Sequence, residues 1–164
     1  MGTFRMEQAT TDVALDKIAA LANEIWHEHF VPIIGLDQVN YMVGKFQSYP
    51  ALKDQVKEGY EYYRIFCGDA FAGYAGIRPE EDALFLSKLY LHKDYRGQHL
   101  STKALEFLKD YCHKHGLTKI WLTCNKYSHT LDVYHHLGFS NVRSQVADIG
   151  NGYVMDDYIL ELEV

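Results

Sequence analysis

The chain reads as an α/β (α+β) fold, one mixed, mostly antiparallel sheet flanked by helices. Three observations carry this expectation. Apolar residues recur at three- and four-residue spacing over 12–29 and again over 100–112, which is the helical period. Three strand-forming runs follow one another between 61 and 91 with tight turns between them, and strands then alternate with helical segments to the end. No internal repeat, charge block or Pro/Ser-rich linker divides the 164 residues, so a single domain over 1–164 is expected.

Phe4 to Gln8 is a short first strand. Thr11 or Asp12 can cap a helix whose apolar face is Leu15, Ile18, Ala22, Ile25 and Trp26, running to about His29. A break at "VPIIGLD" precedes a second helical pattern of Val39, Met42, Val43 and Phe46. Ser48 and Pro50 then sit where a cap and a first-turn proline start a short helix. "EYYRIFC", "AFAGYAGIR" and "ALFLSKLYL" form an antiparallel meander, separated by Gly68-Asp69 and by "PEED". The next helix presents Leu100, Ala104, Leu108, Tyr111 and Cys112 on one face and stops at Gly116. "KIWLTC" is a strand, "SHTLDVYHHLG" a short helix capped by Ser128 or Thr130, and "FSNVRSQVA" a further strand. "DIGNG" turns the chain into the last strand, "YVMDDYILELEV". A meander followed by strand-helix-strand crossovers makes a mixed sheet with helices on both faces.

Bulk properties exclude several classes. Hydrophobic residues make up 48% and aromatics 14%, which rules out a disordered chain. A net charge of −6 gives no general attraction to nucleic acid or to an anionic membrane, so neither is expected as a partner. No stretch reaches the ~18 apolar residues of a membrane span, and the N-terminus lacks a signal-peptide core. Cys67, Cys112 and Cys124 are far apart and form no CxxC pair, which fits reduced thiols in a cytoplasmic protein. A metal site is not expected either: His27 and His29 lie about 200° apart around a helix, as do His113 and His115, and no H-E-x-x-H occurs.

The chemistry concentrates after the third strand of the meander. A strand that runs through a glycine-containing turn into a helix is suited to anions, because the first helical N–H groups lack partners and the dipole is positive there. Neither G-x-x-x-x-G-K-[ST] nor G-x-G-x-x-G is present. "LSKLYLHKDYRGQHLSTKAL" resembles instead the acyl-coenzyme A motif of the GNAT superfamily of N-acetyltransferases, a strand ending in an R-x-x-G-x-G/A turn that opens a helix. Arg96 matches the leading Arg, Gly97 the frequent following Gly, His99 the first motif Gly and Ser101 the final Gly or Ala. Three placements are open to His99: outward, against a phosphate when protonated, or blocking the ligand. "CNKYSHTLDVYHHLGF" is similar to a second segment of the family, with Tyr134, Gly138 and Phe139 at the Y-x-x-x-G-F positions and Asn125 near the strand end.

The resemblance implies the GNAT fold and transfer of an acetyl group from acetyl-CoA to a primary amine by direct attack on the thioester. It implies that Leu89, Tyr90 and Leu91 at the strand end offer amides to the thioester arm, and that Arg96, Gly97, Gln98, His99, Leu100, Ser101 and Asn125 contact the coenzyme. Tyr134 would be the general acid, although its ordinary pKa of about 10 lies above that of a thiol at about 8.5. Glu28 and Asp156 are the base candidates, and at most one of Asp156 and Asp157 faces the cleft, since strand neighbours point to opposite faces. "YEYYR", "IGLDQVNYM" and "WHEHF" would give an aromatic and acidic lining suited to a small, polyamine-like cation. A protein amine as acceptor, or an acyl-CoA sensor without turnover, are the alternatives. Family members pair edge strands into homodimers, and the resemblance carries that option here.

Overall fold

The computed structural model describes residues 3–164. Seven strands, β1 (Phe4–Gln8), β2 (Glu61–Cys67), β3 (Ala70–Pro79), β4 (Ala83–Leu91), β5 (Lys119–Asn125), β6 (Ser140–Gly150) and β7 (Tyr153–Glu163), form one sheet in the order β1-β2-β3-β4-β5-β7-β6. All neighbours are antiparallel except β4 and β5. The expected mixed, mostly antiparallel sheet is therefore the one observed, and the meander closes at the expected turns. In the last hairpin Asn151 and Gly152 both have positive φ (56° and 81°), the mirror-image turn whose twist matches that of paired strands.

Helices α1 (Asp12–Ile34), α2 (Leu36–Met42) and α3 (Tyr49–Lys57) cover one face; α4 (Leu100–His115) and α5 (Thr130–His136) cover the other. Thr11 caps α1 by accepting from the Ala14 N–H, and Ser48 caps α3 by accepting from that of Ala51, with Pro50 in the first turn. One expected boundary is displaced. Helix α1 does not stop near His29 but continues through Pro32 to Ile34, and only Gly35, at φ 87°, breaks it. Proline removes one N–H from the helical ladder; the extension persists because Phe30, Ile33 and Ile34 pack with Trp26, Val39 and Met42 into a cluster that reaches Ile149 of the last hairpin. A single π turn, Val43–Gln47, then links α2 to α3 and leaves Gln47 buried.

The pairing of β3 with β4 contains a bulge. Gly76 pairs with Lys88 but Ile77 pairs with Leu86, so Ser87 is the extra residue. Before it, Leu84 and Leu86 face the α4 core; after it, Leu89 and Leu91 do. An extra residue reverses the alternation of faces, which turns Lys88 and Tyr90 toward α1 and α3. Further along, Gly73 lies opposite Leu91, where a Cβ would collide with the carbonyl oxygen of Tyr90 and come to 2.8 Å from the Leu91 side chain. Gly73→Ala is therefore expected to destabilise the protein by about 2 kcal/mol in urea unfolding, as overpacking against backbone does. It should also displace the end of β4; an unchanged midpoint would show that β4 moves freely.

Candidate active site

Strands β4 and β5 pair only at Ala83–Lys119, Leu84–Ile120 and Phe85–Trp121. Beyond these pairs they diverge and leave β4 with an unpaired edge in the middle of the sheet. The His92 N–H donates to the Ala72 carbonyl of β3 at 2.8 Å. Because successive amides in a strand alternate sides, the N–H groups of Leu91 and Leu89 face the gap.

Two cavities meet there. The first, about 340 Å³, runs from Leu89, Tyr90 and Leu91 along the turn before α4 to Val133 and Leu137 of α5. Arg96 is fixed at its edge: Nε donates to the Leu91 carbonyl at 3.0 Å, and Nη1 pairs with Glu28 Oε1 at 2.8 Å. Gly97 and His99 both adopt left-handed backbone, φ 79° and 61°, and His99 is the N-cap residue of α4 without a side-chain cap bond. Among the described residues, no acceptor serves the N–H groups of Gly97 through Thr102. This is a run of donors on the positive end of a 16-residue helix, a geometry that accepts phosphate.

The second cavity, about 400 Å³, lies on the α1 side of the gap and shares Leu89, Tyr90 and Thr130 with the first. Helix α1 contributes Trp26, Phe30 and Ile34, one face at four-residue spacing. Glu28, two residues from both Trp26 and Phe30, points away and is held by Arg96, so this candidate base does not reach the cavity. Of the paired aspartates it is Asp157 that lines the cavity, 3% exposed. Asp156 is on the opposite face and pairs with Lys126 at 2.8 Å. Burial, aided by the neighbouring Asp156 and opposed by Lys126, pushes the Asp157 carboxyl up to about 6. Tyr134 lines the same cavity, its ring edge-on to Phe139 at 5.5 Å, and burial raises its hydroxyl well above the usual tyrosine value. Asn125 is also on this side of the gap; its Oδ1 accepts from the Tyr127 N–H at 2.8 Å and shapes the turn into α5. That turn is held further by Ser128, which accepts from Thr130 N–H at 3.2 Å and lies 3.3 Å from His29 Nε2.

The acidic lining expected from three segments is not what faces the cavity. "WHEHF" contributes Trp26 and Phe30, "IGLDQVNYM" contributes Ile34, Gln38 and Met42, and "YEYYR" contributes Tyr60. Glu28, Asp37 and Glu61 point elsewhere; Glu61 accepts from Tyr63 and Tyr111 on the other side of the sheet. Sequence reasoning missed Lys88, which the bulge at Ser87 brings into the cavity, 6% exposed. The available signal was the "SK" pair interrupting an otherwise apolar strand.

The sequence matches the Acetyltransferase (GNAT) family over residues 19–139. The chain belongs to that family. A GCN5-related N-acetyltransferase from Rhodopseudomonas palustris superposes with a TM-score of 0.83 at 13% identity, covering 100% of this chain and 98% of that one. The PaiA N-acetyltransferase of Thermoplasma acidophilum, solved with coenzyme A, gives 0.77 at 14% identity with 99% of each chain covered. A ribosomal-protein alanine N-acetyltransferase from Escherichia coli gives 0.70 at 18%, covering 99% and 94%. No curated protein matches the chain significantly. As a GNAT acetyltransferase, the protein takes its acetyl group from acetyl-CoA, and no helix is long and apolar enough to cross a membrane among the described residues.

The donor run Gly97–Thr102 is suited to an anionic group, and His99 is exposed and uses the left-handed backbone conformation that glycine favours. Left-handed backbone costs a non-glycine residue about 1–2 kcal/mol, part of which glycine returns through its freer unfolded state. His99→Gly should therefore raise the urea midpoint by roughly 0.5–1 kcal/mol equivalent and leave the Kd for coenzyme A within about threefold. A marked loss of affinity would instead assign the His99 side chain a phosphate contact.

Proposed function

We propose that the protein N-acetylates a small-molecule primary amine bound in the 400 Å³ cavity, by direct attack of the amine on the thioester of acetyl-CoA. The observation that carries this reading is the junction of the two cavities at Leu89, Tyr90 and Thr130, beside the opened edge of β4. One cavity bears the phosphate-type donors, and the other has the size and mostly apolar lining typical of small-molecule sites. An amine reaching the junction from the second cavity meets the acyl group arriving from the first.

In this reading the coenzyme diphosphate is held by the N–H groups of Gly97, Gln98, His99, Leu100 and Ser101, with Arg96 at the rim, and the amides of Leu89 and Leu91 serve the thioester arm and the acyl oxygen. Asp157 accepts the proton that the ammonium form must lose before it can attack. Its carboxyl, ionising near 6, is a carboxylate at neutral pH yet basic enough to take a proton. Tyr134 stays protonated throughout the working range and donates to the departing sulfur; its hydroxyl has no other hydrogen bond among the described residues. Cys124 also lines the cavity, but burial pushes its thiol up to about 12, so it offers no thiolate for a covalent intermediate, in keeping with direct transfer.

Release of coenzyme A thiol from acetyl-CoA across a panel of amines tests the reaction. Tyr134→Phe should bind coenzyme A normally and lower kcat by roughly a hundredfold, in the range for removing a general acid; unchanged turnover removes Tyr134 from the mechanism. For Asp157 the sign is fixed by its role. The carboxylate is the active form, so kcat/KM rises as pH passes upward through about 6 and then levels off, and Asp157→Asn abolishes that limb along with most of the rate.

A further inference from the structure

Lys88 is a feature of the cavity that amine acetylation leaves unexplained. Its Nζ donates to Tyr62 Oη at 2.6 Å and to Gln55 Oε1 at 2.9 Å, with Ser87 Oγ at 3.5 Å, all neutral acceptors. Tyr62 in turn donates to Gln55. Among the described residues, no carboxylate lies within 4 Å of it. The other charged groups of the cavity are Glu58 at the exposed rim and Asp157 on the far strand. Burying a cation without a counter-ion is strongly unfavourable, and a methionine of the same length would fill the space without that cost. The bulge at Ser87 is what aims the side chain into the cavity, since unbroken alternation would have turned it into the α4 core.

We propose that the acceptor carries a carboxylate as well as its amine, and that Lys88 receives this carboxylate inside the cavity. The proposal deepens the acyl-transfer reading and rests on it for the amine. A carboxylate supplies the missing counter-ion and forms a charge-assisted bond in a site shielded from water. The ends are chemically distinct: Asp157 and Tyr134 beside the junction suit the amine, while Lys88, one two-residue strand step or about 7 Å from Tyr90, suits the acid. Trp26, Phe30, Tyr60 and Phe85 wall the space between with rings. A polyamine-like cation would bring a second positive charge against Lys88, and three of the acids expected to hold it face away. The substrate class is therefore a zwitterionic amine with an apolar or aromatic body.

Calorimetric titration of the protein with phenylacetate and with phenylacetamide, in the presence of coenzyme A, tests this without requiring turnover. The carboxylate should bind at least about tenfold more tightly than the amide, and Lys88→Met should reduce the ratio to near one. The variant should unfold at an unchanged or higher urea concentration, because Tyr62 and Gln55 remain bonded to each other. Equal affinities in the unmutated protein, or a preference that survives Lys88→Met, overturn the proposal. Thiol release with an amino acid and with the amine left when its carboxyl is removed is read beside it. Release from neither defeats the acyl-transfer reading while the binding ratio still decides Lys88; release favouring the decarboxylated amine defeats the zwitterion.

Discussion

Everything at the site depends on β4 and β5 ceasing to pair after three residues. A parallel pair in mid-sheet normally satisfies its amides across the ladder, and strands left unpaired inside a protein must find other partners or face a ligand. Here the unpaired edge of β4 lies at the junction of two cavities. The sheet thus leaves main-chain donors facing the gap, in positions set by pairing to β3 and by the close passage of Gly73 under Tyr90. Side chains could change around such a site without altering what the strand offers.

The bulge at Ser87 is the second constraint, and it works with the first. The part of β4 before it packs Leu84 and Leu86 against α4; the part after it packs Leu89 and Leu91 against the same layer. A single inserted residue keeps the core continuous while exchanging which residues face α1. That exchange brings Lys88 and Tyr90 into the larger cavity, and Tyr90 then packs edge-on to Trp26 and Phe30 at 5.7 and 6.0 Å. The same rings belong to the part of α1 that lies around and beyond Trp26, extended past Pro32, so the length of that helix and the register of β4 define one wall between them.

Much of this was legible in the sequence. The strands of the meander, the stop at Gly116, the caps at Thr11 and Ser48 and the turn into α4 follow from local chemistry, and local chemistry fixed them. The turn before α4 was legible for the same reason: His99 adopts the left-handed backbone that glycine favours, and the free donors there belong to the main chain. What failed was any inference that needed a facing. Asp156 and Asp157 differ only in which side of β7 they occupy, and nothing within the dipeptide decides that; their register against Asn125 of β5 does. Glu28 was a base candidate because the family resemblance puts the end of the first helix beside the cleft, but it lies about 200° around that helix from Trp26 and Phe30, and its carboxylate pairs with Arg96 instead. Lys88 was hidden because a bulge has no reliable signature in one sequence, and without it the lysine would have belonged to the wrong face.

Lys88 and Asp157 also share an energetic logic. Asp157 ionises near 6 rather than 3.8, so the folded state holds its proton longer than the unfolded chain does, and stability falls as pH rises between those values. Lys88, lowered by burial to about 7 from 10.5, behaves in the opposite sense: the unfolded chain keeps its proton longer, and stability is regained only as pH rises above 7. Both groups therefore weigh fully against folding between about 6 and 7, where each carries a charge that burial disfavours. A structural role would have removed one or both, since apolar replacements of similar size avoid the penalty. Retaining a carboxylate and an ammonium in one cavity, unpaired with each other and each tuned toward neutrality, matches the zwitterionic acceptor proposed above.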